Sequence, residues 1–417
     1  MKILNINKFY YLKGGADRHY FDLTKLLEKH GHKVIPFSMY SDKNNPSPYA
    51  QYFVNEVDLS RPKFSFKALA TLGRIFYSLE AKRKIRALIQ KEKPEIAHIH
   101  NIYHQISPSI LGVLKKHRIP IVITVNDYKL ICPNYQLFQH NKVCEKCRKR
   151  KYYQCFFNKC VKDSYLASLV NTLEMYFHKA FRFYERYVDI FICPSKFMRQ
   201  KLMEWGLPQA KLVTLPYFIE EEYCTPLEEK NYILFFGRLS PEKGLDLLIS
   251  VMQKLPEIKL KIVGEGPERK KLEDYVQKNH ISNVQFLGFR QGDELKKIIQ
   301  KSRFVVVPSS WQEVFGLVVL ESFNLGKVVL ASRKGGLTEI IREGNTGFFF
   351  QNAAELAQKI QSLYQNRKIT QKIGQRAKRE IKNYNPEVYY QKLMKIYQFV
   401  FPSSLRAEFN GAKQSPR

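Results

Sequence analysis

At 417 residues the chain exceeds what one ordinary core supports and suits two domains of roughly 200 residues each. Its hydrophobic fraction of 44% is that of a globular protein, no apolar run approaches the roughly 20 residues that span a bilayer, and no internal repeat is visible. The formal net charge of +31 calls for an anionic partner, whether nucleic acid, a membrane surface or an acidic substrate, beside any lysine inflation from an adenine- and thymine-rich genome.

The first residues, MKILNINKFYYLKGG, lack the long apolar region and small-residue cleavage site of a signal peptide, so the expectation is a mature cytosolic chain. Short apolar runs then alternate with longer amphipathic stretches, the signature of α/β layers. Ile3–Ile6, Val34–Phe37, Ile96–Ile99, Ile121–Val125 and Ile190–Cys193 read as buried parallel strands. Asp17–Lys29, Pro108–Lys116 and Lys196–Trp205 carry apolar residues at helical spacing. Around Lys211–Glu222 the pattern breaks into a strand-like piece, Pro216 and a run of Glu, which reads as an interdomain linker.

Beyond it, strands are predicted at Tyr232–Phe236, Leu260–Val263, Val284–Leu287, Phe304–Val307, Val328–Ala331 and Gly347–Phe350. Helices such as Leu245–Gln253 and Glu268–Lys278 separate them. The fold class is α/β: two doubly wound, Rossmann-like domains over residues 1–215 and 216–385 that face a central cleft, where ligands sit at the carboxyl ends of the strands. Pro386–Phe399 is long enough to return to the first domain, giving a closing helix over 386–401, and the polar stretch 402–417 reads as a disordered tail.

Two motifs carry chemistry. In YILFFGRLSPEKGLDLL a buried strand ends at Gly237, and Ser240 with Pro241 opens a helical turn. Arg238 and Lys243 flank that turn, where free N–H groups favour an anion, and two cations there suit a diphosphate or are two solvated charges. In VVVPSSWQEVFGLVVLESFNLG, Glu313 precedes a helix and Glu321 lies about two turns in, so the carboxylates address two ends of one extended ligand. A carboxylate suits the paired hydroxyls of a sugar or ribose, and Gly316 lets the helix start approach a phosphate. Apolar Val318, Val319 and Leu320 make Glu321 half-buried and in need of a partner.

The glutamate pair with Phe315–Gly316 between, together with the upstream Gly237-Arg238-x-x-x-x-Lys243-Gly244 stretch, resembles the retaining GT-B glycosyltransferases of family four, glycosyl transferases group 1. The resemblance runs from Gly14–Gly15 to the closing helix. It implies a retaining, hexosyl-type transfer from a nucleotide-diphosphate sugar, with Arg238 and Lys243 neutralising the leaving diphosphate. It implies that Glu313 holds donor-sugar hydroxyls, that the backbone of Phe315, Gly316 and Leu317 cradles sugar and phosphate, and that Glu321 binds the ribose. Gly264, Gly266 and Phe289 lie where such enzymes hold the base, and Gly335–Gly336 makes a tight turn near the cleft. Gly14–Gly15 would approach the diphosphate from the opposite wall. The implied catalytic set is Arg238, Lys243, Glu313 and the cleft histidine His100, whereas His98 reads as structural. Many relatives carry His-Asp where this chain has Asn126–Asp127, so no histidine acts there, and Asp127 is left to orient the acceptor. No metal is needed for catalysis in this scheme.

Five of the seven cysteines fall within the basic insert 128–163, and Cys144-x-x-Cys147 has metal-knuckle spacing. A subset of the family carries a similar insert, and on that resemblance a structural zinc on Cys132, Cys144, Cys147 and Cys160, with Cys155 spare, stands against free thiols or a reversible disulfide. Cys193 and Cys224 read as buried apolar residues. Residues 61–93 hold ten Lys/Arg against two Glu, and residues 142–162 eight against one, both mixed with aromatics. These stretches point to peripheral contact with an anionic inner leaflet, where lipid-linked saccharide acceptors of surface polysaccharide assembly are presented. A zinc-knuckle nucleic-acid-binding protein and a nucleotide-sugar epimerase or phosphorylase on the same fold are the rival readings.

Overall fold

The computed structural model describes residues 1–56, 73–222 and 227–401. The disordered-tail expectation for 402–417, the position of Cys224 and residues 61–72 of the first basic stretch lie outside these residues. Two six-stranded sheets dominate, and every strand pair within them is parallel.

The first sheet holds β1 (Lys2–Ile6), β2 (Lys33–Phe37), β3 (Ile96–Ile99), β4 (Ile121–Thr124), β7 (Ile190–Cys193) and β8 (Leu212–Thr214), in the order β2-β1-β3-β4-β7-β8. A two-stranded hairpin in the insert supplies β5 (Phe138–Gln139) and β6 (Lys142–Val143). The second sheet holds β9 (Ile233–Phe236), β10 (Leu260–Val263), β11 (Val284–Gly288), β12 (Val305–Val307), β13 (Val329–Ser332) and β14 (Gly347–Phe350), in the order β11-β10-β9-β12-β13-β14. Runs such as Ile96–Ile99 and Ile233–Phe236 are buried at every position, because helices cover both faces of a parallel sheet. Strand order reverses between β1 and β3 in one sheet and between β9 and β12 in the other, which opens a crevice at the carboxyl ends of those strands.

One sequence expectation is corrected. Leu212–Thr214 is no linker: it pairs with β7 as the sixth strand of the first sheet. Three residues are too short a run to display alternation, and only the register with Phe191–Cys193 identifies them.

Helix Pro386–Val400 lies on the first domain. Leu393, Met394 and Tyr397 join Leu23, Leu27 and Ile190 in one buried cluster. The helix is also tied down by polar contacts. Tyr397 Oη and the His98 Nδ1 are 2.6 Å apart, and His98 Nε2 lies 2.7 Å from Thr124 Oγ1, so both His98 nitrogens are used inside the core. Burial lowers the His98 imidazole to about 3, and it stays neutral. Across the domains, Ser195 Oγ donates to the Val314 carbonyl (2.7 Å), and the backbone N–H groups of Lys196 and Phe197 donate to Glu339.

Tyr397→Phe keeps the ring and leaves His98 Nδ1 without its partner. The expected cost is about 1–3 kcal/mol of unfolding free energy, read from urea denaturation. A variant as stable as the parent would show that this contact does not hold the closing helix.

Candidate active site

The crevice of the second domain is built by two strand ends. After β9, Gly237 and the exposed Arg238 lead to Ser240 and a single 3-10 turn, Pro241–Lys243, before helix Leu245–Met252 begins. From sequence, Arg238 and Lys243 flank a helix N-terminus; here Arg238 precedes and Lys243 ends the short turn, which Gly244, at φ +68°, separates from helix Leu245–Met252. After β12, the segment Pro308–Gly316 carries Glu313 to the start of helix Leu317–Asn324. Gly335, at φ +57°, lies so close under Glu313 that an added Cβ would stand 2.3 Å from its carbonyl oxygen, and Gly336 N donates to that oxygen (2.7 Å). The Gly335–Gly336 turn is thus the floor on which Glu313 rests.

Glu313 is 7% exposed, and a carboxylate so enclosed must be paired. Lys243 Nζ donates to its Oε1 at 2.7 Å, and Ser309 Oγ to the same oxygen at 2.6 Å. Burial pushes the carboxyl up, but Lys243 and the two hydrogen bonds outweigh it and hold Glu313 below its ordinary range. Lys243 and Glu313, assigned to different parts of the ligand from sequence, therefore form one ion pair.

Glu321 has the partner its apolar neighbours called for. Arg18 Nη1, on helix Gly15–Lys29 of the first domain, donates to Glu321 Oε1 at 2.6 Å across the cleft. Burial raises the Glu321 carboxyl, with Arg18 opposing. Gly15 meets the Leu317 side chain beside this contact, with space for a Cβ only at 3.5 Å, whereas Gly14 opens on free space. The Phe315 ring is buried edge-on against Tyr217, 5.1 Å between centroids. Phe289 is 54% exposed just beyond β11. Gly264 and Gly266 have a packing reason: a Cβ on either would collide with the carbonyl of Gly237 or Leu239, so they let the loops after β9 and β10 touch.

The facing wall adds cations that sequence reasoning missed. Lys13 lies near Arg238 across the cleft, and burial followed by this like charge lowers its ammonium. Lys8, just after β1, is pushed down to about 8 by burial and by Lys13. Both ammonium groups flank the Phe9 ring, at 4.9 and 4.2 Å from its centroid. Like charges brought together in a cleft favour an anion between them.

His100 is corrected. It is 3% exposed, stacked on His98 at 4.8 Å and enclosed by His19 and Tyr20, and neither ring nitrogen has a hydrogen-bond partner among the described residues. Burial holds it well below the ordinary range, so it is a neutral ring inside the domain and not a group open to the cleft. Asp127 stands nearer the cleft, half-buried, in contact with the Tyr103 hydroxyl and accepting from Lys129 N at 2.9 Å. Beside it, Tyr217 Oη donates to Asn126 Oδ1 at 2.5 Å, and Asn126 Nδ2 has no partner. Lys129 and Glu174 form a buried pair at 2.7 Å beneath this wall. The five insert cysteines line a separate small cavity.

Burial lifts the Asp127 carboxyl from 3.8 to about 6, against the opposing Tyr103 and Lys129. The folded state then binds more protons than the unfolded chain between these values, so the contribution of Asp127 to stability declines as pH rises from about 4 to about 6. Asp127→Asn is expected to abolish that decline in urea midpoints measured across this window. An identical pH slope in the variant would refute the assignment.

Two family models divide the chain between them: Glycosyltransferase Family 4 matches residues 13–223 and Glycosyl transferases group 1 matches residues 224–380. An uncharacterized glycosyltransferase of Methanocaldococcus jannaschii is 25% identical over 402 residues, 95% of this chain and 98% of its own. Among solved structures, sucrose-phosphate synthase from Thermosynechococcus elongatus superposes with a TM-score of 0.72 at 19% identity, over 96% of this chain and 99% of that one. Anabaena HepE, solved in complex with UDP and glucose, gives 0.65 at 18%, over 95% and 99%. These neighbours share the two-domain GT-B fold, and the nucleic-acid and epimerase readings are left without support. One model covers each wall of the cleft, and the chain belongs to the glycosyltransferases of family 4 and group 1.

Proposed function

We propose that this enzyme moves a hexosyl group from a nucleotide-diphosphate sugar to a saccharide or lipid-linked saccharide acceptor, with retention at the anomeric carbon, at the inner face of an anionic membrane during surface polysaccharide synthesis. The observation that carries the donor side is the Lys243–Glu313 ion pair, which joins the turn after β9, where Arg238 stands exposed, to the loop after β12. A diphosphate between Arg238 and Lys13 relieves their repulsion and is the leaving group. Glu313, ionised and fixed by Lys243 and Ser309, accepts from sugar hydroxyls. The Glu321 carboxylate, with Arg18 on one oxygen, offers the other to the ribose diol.

In the same-face reaction the departing phosphate oxygen accepts the acceptor proton as the glycosidic bond opens toward an oxocarbenium-like ion. Positive charge already in place lowers this barrier without reorganisation. Asp127 on the opposite wall orients the acceptor hydroxyl. His100 has no part in this scheme, and the residues present supply the charge that a metal would otherwise bring.

Arg238→Ala removes an exposed cation and should leave thermal stability unchanged while lowering transfer about 10²–10³-fold, or about 2.7–4 kcal/mol of activation free energy. Lys243→Ala should show a comparable loss and also destabilise by on the order of 3 kcal/mol, because buried Glu313 loses its counter-charge. Release of nucleoside diphosphate from a panel of nucleotide sugars, with and without acceptor, reads the first effect. Undiminished transfer by Arg238→Ala would sink the donor assignment.

The membrane half of the proposal rests on helix Tyr165–Ala180. Leu166, Leu169, Leu173 and Tyr176 are exposed along one side, with Phe157 and Phe181 nearby. Arg148, Lys149, Arg150 and Lys151 stand exposed in the adjoining insert. No helix among the described residues is long and apolar enough to cross a membrane. Apolar side chains beside such a basic run suit the headgroup boundary of an acidic bilayer. Sedimentation with acidic vesicles is expected to fall steeply with added salt and to be lost in Leu169→Glu/Leu173→Glu. Equal partition onto neutral vesicles, insensitive to salt, would contradict it.

A further inference from the structure

The insert 128–163, between β4 and helix Tyr165–Ala180, is short of ordinary stabilising structure. Its regular elements are the two-residue strands β5 and β6, a 3-10 turn and a five-residue helix. Nine of the fifteen non-glycine residues with positive φ among the described residues fall in it, Tyr135, Leu137, Lys149 and Lys159 among them. Each left-handed non-glycine residue costs free energy, so the segment holds this shape only if something over-determines it.

What the backbone converges on is sulfur. Cys132, Cys144, Cys147, Cys155 and Cys160 come from separate turns and line one cavity of about 10 Å³, the space of a single small occupant. Cys155, set aside as spare from sequence, lines it with the others. Cys147 and Cys155 are buried against Tyr152 and Met175, with Trp205 closing the side. The turn that carries Cys132 is itself fixed by Asn134, whose Nδ2 donates to the Phe138 carbonyl at 2.9 Å.

We propose that this cavity binds one zinc ion on four of the five thiols, Cys132 and Cys147 among them, and that the ion is the staple of the insert. As placed, no three His, Cys, Asp or Glu side chains among the described residues form a set that could hold an ion, so the thiols must turn inward on binding. The Cys132 S–H now donates to Asn134 Oδ1 at 2.8 Å; on ligation its proton leaves to solvent, and Asn134 Oδ1 keeps its bond from Gln136 N at 3.1 Å. Zinc suits four thiolates in tetrahedral array and needs no redox partner. The same turn that carries Cys132 also carries Tyr128, whose hydroxyl donates to the Gln312 carbonyl (2.8 Å) next to Glu313, so the staple sets the seating of one wall against the other.

The full chain, purified without chelator, is expected to contain about one zinc by elemental analysis. After stripping, Co²⁺ added alone should give the thiolate-to-metal and visible bands of tetrahedral cobalt. Trypsin should cut the stripped protein in the Lys149–Lys151 run at least tenfold faster than the loaded one. Cys132→Ser and Cys147→Ser should each lose the metal, and Cys193→Ser in β7 should keep it. Stripped parent protein reports the same protection loss even where a variant fails to fold. Zinc below a tenth per chain with no cobalt uptake would overturn the proposal, whether thiol titration then found all the cysteines free or intact mass showed the two-hydrogen loss of a disulfide.

Discussion

A carboxylate that is almost wholly enclosed governs this molecule. Glu313 can remain ionised only because Lys243 and Ser309 reach its Oε1, and those contacts draw the loop after β12 against the turn after β9. The loop can lie so deep only because the turn below it has no side chain at Gly335 and Gly336. The same nine residues then meet the first domain, at Gln312 through Tyr128 and at Val314 through Ser195. Removing the ion pair would therefore disturb the pocket floor and the seating of the two domains together.

The first domain repeats this device with a different outcome. Lys129 and Glu174 form a pair that is almost completely buried, supported by Asn171 and the Pro133 carbonyl and approached by His104 at 3.4 Å. It ties helix Tyr165–Ala180 to the segment bearing Asp127. Pairs of this kind seldom add net stability over apolar packing, but breaking one leaves an uncompensated charge, so they act as locators. One locator positions the loop after β12. The other positions the segment bearing Asp127 and, through the same helix, the exposed leucines on its outer side.

What could be read from sequence follows the range of the forces involved. Strands buried on both faces appear as apolar runs and were legible to within a residue or so; β8 was read only as a strand-like piece of a linker, because three residues, two of them only half-buried, do not show that they join a sheet. Gly237, Glu313 and Glu321 were legible because their roles depend on local backbone and on spacing. Arg18, Lys8 and Lys13 were not, since their significance comes from groups hundreds of residues away or from another turn, and an isolated lysine in a strongly basic chain carries no signal. His100 shows the limit of alternation. Two residues apart on a strand share a face, but the face proved to be the interior, where His98 serves Tyr397 and His100 packs against it.

The surplus of positive charge is unevenly spent, and that unevenness separates the tasks. In the cleft, burial lowers the ammonium groups of Lys8 and Lys13, with Lys13 adding to the effect on Lys8 and Arg238 to that on Lys13. On the insert, the run Arg148–Lys151 stands exposed to solvent, where salt screens each charge. The first arrangement gathers charge at one partly buried point between two walls. The second spreads it over an open face. A chain using one kind of residue for both must keep the sites apart, and the backbone that does so here is the turn from Asp127 to Cys132, which ends one wall of the cleft and begins the insert.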